Sequence, residues 1–171
     1  MEALAPFHPA IVHLPIALII VGAVFELMGR ALDGEWWRKA AFAMLIVGVL
    51  GAAFAVLSGD QAGDRAEHQG VAEKTVDEHG DVGKLALWLG LGAVVTRAVA
   101  GRLGAARAAV AGLALLLHLG AATAVGIAGF RGGKLVFEHG AAVKVGGKPV
   151  VVPEGKPGGE ASVGEKQPDQ H

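Results

Sequence analysis

Apolar and polar positions alternate along the chain in long blocks rather than at the short period of a strand, and the blocks predict four membrane-spanning helices. The first apolar run covers about residues 9–29. At roughly 20 residues it is long enough to cross a hydrocarbon core of about 30 Å. Pro9 suits a first helical turn, where its missing N–H is not needed. Pro15 lies deeper and should loosen the first turns. A short polar loop with Arg30, Arg38 and Lys39 follows, and Trp36 and Trp37 in it read as interface anchors. The second run, about residues 40–58, is rich in Ala and Gly, which lets neighbouring backbones approach closely. Residues 59–81 then form a polar stretch with the acids Asp60, Asp64, Glu67, Glu73, Asp77, Glu78 and Asp81, and with His68 and His79. The third run, about residues 84–100, ends near Arg97, and Arg102 and Arg107 follow it. A fourth lies between residues 103 and 130 and contains His118. That window is longer than one span needs, so its register stays open.

Beyond residue 130 the pattern changes. Residues 131–140 read as a glycine turn and a short extended piece, and 141–152 as a small hairpin about Gly146 and Gly147. Residues 153–171 are Gly, Pro and charge, and should be disordered. The expected fold is an all-α integral membrane protein: a four-helix transmembrane bundle, N-terminus and C-terminus both outside, with a short β-like C-terminal tail. Its parts would be a four-span domain over 1–130, an outer-face extended segment over 131–152 and the tail over 153–171.

Composition agrees with that reading. Of 171 residues, 53% are hydrophobic and 18% charged, and mean hydropathy is +0.49, too apolar for a soluble domain of this size. A net charge of −1 argues against nucleic-acid binding. The chain has no Cys, which excludes disulfides, thiolate zinc sites, iron–sulfur clusters and covalently attached haem. Residues 1–6 contain no Lys or Arg, so the first apolar run is expected to stay in the mature protein. The basic residues cluster in the loops after the first and third runs, and the positive-inside rule makes those loops cytoplasmic. The two termini and the acidic stretch then lie outside, which puts His8, His13, His68, His79 and His139 on one side of the membrane.

Several stretches resemble a known family. HPAIVHLP at 8–15, SGDQAG at 58–63, His68 and His79 in the following segment, and GGKLVFEHGAAV at 132–143 are similar to the bacterial membrane-protein family catalogued as domain of unknown function 2231. That family usually shows Phe where Leu14 stands. The resemblance covers residues 8–143 and implies a four-helix membrane domain in the bacterial cytoplasmic (inner) membrane, with no established activity. Some relatives stand beside cytochrome-like or other redox domains, an associational pointer.

The histidines are the candidate chemistry. His8 and His13 are about 140° apart on a helix, outside the usual chelating spacing, although His8 could fold back if Pro9 opens the helix. His118 sits in LALLLHLGAAT and needs a partner, because an unpaired polar group in hydrocarbon is costly. That partner is either another helix (Ser58, Thr96 or a backbone carbonyl) or a bound metal or haem. If the fourth span ends at 130, His118 lies about 18 Å below its outer end, against about 6 Å for His13; if it covers 103–123, the two are level. Asp64 and His68 are four apart and could share a metal, whereas His68 and His79 on one helix would be about 16 Å apart. His139 follows Glu138 in the final motif. Glu26 and Arg97 should lie near the cytoplasmic ends of their spans and pair.

No nucleophile–base pair, phosphate loop or HExxH occurs, so an enzyme is not the expected reading. Three readings follow. The first is a b-type haem held by His13 and His118, with His8 also at the site and His68 or His79 as alternatives, in a redox or electron-transfer subunit. The second is a Zn, Cu or Ni site on the outer face, built from His8, His13, His68, His79, His139 and Asp64. The third is a structural subunit. The expected partners are the lipid bilayer, other membrane redox subunits or further copies of the chain.

Overall fold

The computed structural model describes residues 3–150. The first span opens with a 3-10 turn, Ala5–Phe7, and the short helix α1 (His8–Ile11), and continues as α2 (His13–Ala31). Helices α3 (Glu35–His68), α4 (Glu73–Ala100) and α5 (Arg107–Phe137) complete the four spans. Each span is long and apolar enough to cross a membrane. The division between α1 and α2 falls at Val12, where Pro15 has no N–H to return to the Ile11 carbonyl. The loosening expected from Pro15 is therefore a local break, after which Ile16 resumes the ladder by donating to the Val12 carbonyl.

The helices pack in a ring: α2 on α3, α3 on α4, α4 on α5, and α5 back on α2. The interior is built mainly of small side chains. Ile19 and Val125 pack with Ala52, Ala86, Ala121 and Ala124, and Leu45 and Val49 pack with Ala93. The large apolar side chains point the other way: Val24, Leu50, Phe54, Trp88, Leu116 and Phe130 are all exposed. That inversion suits lipid, which offers no hydrophobic drive to bury Leu or Phe, so small residues make the helix contacts. Gly48 shows the closeness achieved, since a Cβ there would lie 2.7 Å from Ile19 Cγ1.

Three segments are more helical than their sequence suggests. The polar stretch 59–81 is almost entirely helix: α3 runs on to His68, four residues turn at 69–72 with Gly70 at φ +97°, and α4 starts at Glu73 rather than near 84. Polarity marked the end of the lipid-facing run, not the end of the helix; Ala66 stays buried against Val71 and Leu135. The fourth span takes neither anticipated register. It begins at Arg107 and passes through the Gly132–Gly133 pair to Phe137, so residues 131–137 of the expected extended segment are helical. Leu135 packing and the Lys134–Glu138 ion pair, four apart, support this last turn. The hairpin is present in small form: β1 (Lys144–Val145) pairs antiparallel with β2 (Lys148–Pro149). Gly146 and Gly147 connect them with φ of +57° and +80°, the conformation of a two-residue turn. The expected tail, 153–171, lies outside the described residues.

Candidate functional site

At the end of the bundle that carries the N-terminus, two imidazoles meet across the ring of helices. His8 opens α1 and His79 lies near the start of α4, so they come from diagonally opposed spans. Their ring centroids are 6.3 Å apart and their planes are nearly perpendicular, at 84°. The other two spans supply backbone in place of side chains. Gly59 of α3 faces His8 and Gly132 of α5 faces His79; a Cβ on either would lie 3.0 Å from the imidazole Cε1. One diagonal thus carries the rings and the other carries the glycines that admit them.

The tautomers follow from the hydrogen bonds. Ser58, fully buried, donates its hydroxyl to the Ala55 carbonyl at 3.1 Å. Its oxygen therefore accepts from His8 Nδ1–H at 3.0 Å. His79 Nδ1 lies 3.0 Å from the Ala128 carbonyl, which can only accept, so this nitrogen also carries the proton. In the neutral rings both Nε2 atoms then present lone pairs. An Nδ1–H held by an oxygen fixes the orientation of a ligating imidazole and raises the basicity of its other nitrogen. Gln61 adds a further tie at this end by accepting from the Leu4 N–H at 3.0 Å.

The remaining candidate histidines are placed elsewhere. His13 is exposed and donates Nδ1–H to the Pro9 carbonyl, 2.6 Å away. His118 is buried, at 2% exposure, and its Nε2–H is taken by the Ile19 carbonyl at 3.1 Å. Ile19 lies six residues past His13, about 9 Å deeper along the helix. His13 and His118 are thus neither level nor facing, because α5 starts at Arg107 and carries His118 below the level of the His8–His79 pair. Asp64 and His68 lie on the exposed side of the last turns of α3. His139 follows the end of α5, half-buried. Among the described residues, no three of His, Asp and Glu converge on a point where one metal ion could sit. The outer-face set of His8, His13, His68, His79, His139 and Asp64 is brought together only at His8 and His79.

The stretches on which the family resemblance rests, 8–15, 58–63 and 132–143, supply His8, Ser58, Gly59 and Gly132 to this site. A family model described as "Predicted membrane protein (DUF2231)" matches residues 4–145. The chain belongs to that family. No curated protein and no solved structure matches the chain. For this DUF2231 protein the family therefore carries the membrane assignment, and the chemistry has to be read from the site. Sequence reasoning missed the roles of Ser58, Gly59 and Gly132. A signal was present: Ser58–Gly59 and Gly132–Gly133 are small residues at the polar ends of two apolar runs, the level at which His8 and His79 also lie.

At the opposite end a second polar group forms. Glu26, at 2% exposure, accepts from Arg30 through one carboxylate oxygen and from Arg97 through the other. The expected Glu26–Arg97 pair is present, and Arg30 joins it. Arg97 also donates to the Arg38 carbonyl at 2.6 Å and stacks over Phe42, 5.2 Å from the ring centre.

Proposed function

We propose that this membrane protein holds a b-type haem at the terminal end of its bundle, with His8 and His79 as axial ligands, and serves as a redox or electron-transfer subunit. The observation that carries the reading is the diagonal His8–His79 pair, with both Nδ1–H groups engaged by oxygen and both Nε2 lone pairs available. Metal–imidazole bonds of about 2.0–2.1 Å put two ring centroids about 6 Å apart when the ligands are opposed, and about 5 Å apart at a tetrahedral angle. The observed 6.3 Å suits the opposed arrangement. The number of donors points the same way. Two imidazoles without a third protein ligand are too few for a closed zinc site, whereas they are a full axial set for haem, whose macrocycle brings its own nitrogens. Gly59 and Gly132 make room for the two imidazoles themselves. Bound haem would supply one-electron transfer; the protein's part is to hold two imidazoles in a fixed tautomer in a low-dielectric setting that tunes the potential. His13 and His118, the pair first expected as ligands, have no shared position in this reading. By loop charge the site faces the outer side of a bacterial cytoplasmic (inner) membrane.

The test is the absorption spectrum of protein purified from haem-supplied cells. A Soret band that survives His13→Ala and is lost in both His8→Ala and His79→Ala is expected. A colourless wild-type protein, or a band indifferent to His8 and His79, contradicts the reading.

A structural reading has one specific observation in its favour. The histidines tie adjacent spans: His8 to Ser58, His79 to Ala128 and His118 to Ile19. On that reading His8→Ala and His79→Ala lower the melting temperature of a protein that never binds haem. A Zn, Cu or Ni site would need donors beyond this pair, and metal analysis of untagged protein distinguishes it.

A further inference from the structure

The arginine-bearing end of the bundle contains a cavity of about 230 Å³. Its charged walls are Glu26, Arg30, Arg38, Arg97 and Arg107, four guanidiniums against one carboxylate. Glu26 is already shared by Arg30 and Arg97. Asp33 lies 3.2 Å from Arg38, but it is 94% exposed and does not line the cavity. The concave surface therefore carries a surplus of positive charge. Arg107 has no ion pair and no side-chain hydrogen bond among the described residues. It stands at the first position of α5, where the helix N-terminus adds unsatisfied N–H groups and a positive dipole end.

Depth identifies the kind of anion. Trp36 and Trp37 pack on each other and on Phe25 at the same end of the bundle, directly before Arg38 in the chain, and Trp36 is exposed. Tryptophans at a span end mark the headgroup level of the bilayer. Arg38 follows that pair directly and Arg30 precedes it by one short turn, so the guanidiniums sit where lipid phosphates lie. Arginine is the side chain suited to planar, multidentate phosphate contacts. The volume falls below the roughly 300–1,000 Å³ of pockets for drug-sized ligands and fits a headgroup better than a nucleotide.

We infer that this cavity binds the phosphate of an anionic phospholipid headgroup, with Arg107 as its uncommitted cation and Arg30, Arg38 and Arg97 as its preorganised walls. This site is separate from the histidine pair and stands whether or not haem binds there. A zwitterionic lipid carries the same phosphate but brings an ammonium toward the arginines, so charge selects between the two.

Native mass spectrometry of the detergent-purified full chain tests the assignment, with phosphatidylglycerol, phosphatidylcholine and inorganic phosphate as separate probes. Arg107→Gln is the variant of choice, because removing that guanidinium breaks no described contact. Phosphatidylglycerol adducts are expected to exceed phosphatidylcholine adducts several-fold in the wild type. The preference is expected to fall in Arg107→Gln at unchanged melting temperature. Inorganic phosphate alone is expected to give no adduct. If phosphate binds and stabilises the wild type while the two lipids are retained equally, the occupant is a free anion and the lipid assignment is overturned. A lipid preference undiminished in Arg107→Gln, or no preference and no phosphate effect, overturns the site itself.

Discussion

Glu26 is a single carboxylate held between two guanidiniums inside a bundle whose other buried polar side chains, among the described residues, are Ser58 and His118. Its worth is best read through its removal. Glu26→Ala leaves Arg30 and Arg97, both partly exposed, without their shared counter-charge, at a cost of about 1.5–3 kcal/mol. A marked drop in melting temperature in detergent is expected, and Glu26→Ala combined with Arg97→Ala should recover part of it. The pair could be read from sequence because a lone acid and a lone base sat near the same ends of their spans. The histidines were harder to sort. His8, His13, His68, His79 and His139 all fall on one side by loop charge, but which of them faces inward depends on helix rotation. The five-residue spacing of His8 and His13 sets them about 140° apart, and Val12 keeps helical dihedrals between them, so the two point to different faces. Of the three partners anticipated for His118, the backbone carbonyl is the one used, that of Ile19, while Ser58 is bonded to His8.

At the scale of elements, the four spans were legible because a lipid-length apolar run is a strong signal, whereas their ends were not. The polar residues 59–81 looked like a loop, yet the helices continue beyond the apolar zone and place His79 opposite His8. His79 lies within α4, which runs from Glu73, so the site depends on the very segment whose structure the polarity concealed. The glycine pair at 132–133 likewise read as a turn. In the helix its two members differ: a Cβ at Gly132 meets the His79 ring at 3.0 Å, and one at Gly133 meets nothing within 4 Å. Gly132→Ala is therefore expected to displace His79, to cost about 1–3 kcal/mol from overpacking and to reduce cofactor content. Gly133→Ala should leave cofactor content unchanged and raise the melting temperature slightly, helix propensity adding up to about 1 kcal/mol. Parallel thermal melts and spectra of the two variants check this, and equal behaviour of the pair would show that the His79 contact is unimportant.

For the whole molecule, the ring of four spans puts a histidine pair at one end and an arginine-lined cavity at the other, with small residues between them. Sidedness can be measured directly because the chain contains no cysteine. Glu73→Cys, at the exposed start of α4, should react with a membrane-impermeant thiol reagent in spheroplasts. Gly104→Cys, in the loop beside the arginines, should react only after the membrane is opened; the reverse pattern would invert the orientation drawn from loop charge. At the histidine end, low-temperature electron paramagnetic resonance of the oxidised, purified protein reports whether His8 and His79 hold a haem between them. Two axial imidazoles at nearly perpendicular planes, as in the 84° between His8 and His79, predict a low-spin ferric haem with the strongly anisotropic signal typical of crossed ligand planes, at one haem per chain. A high-spin five-coordinate signal, or purified protein without haem iron, would contradict it.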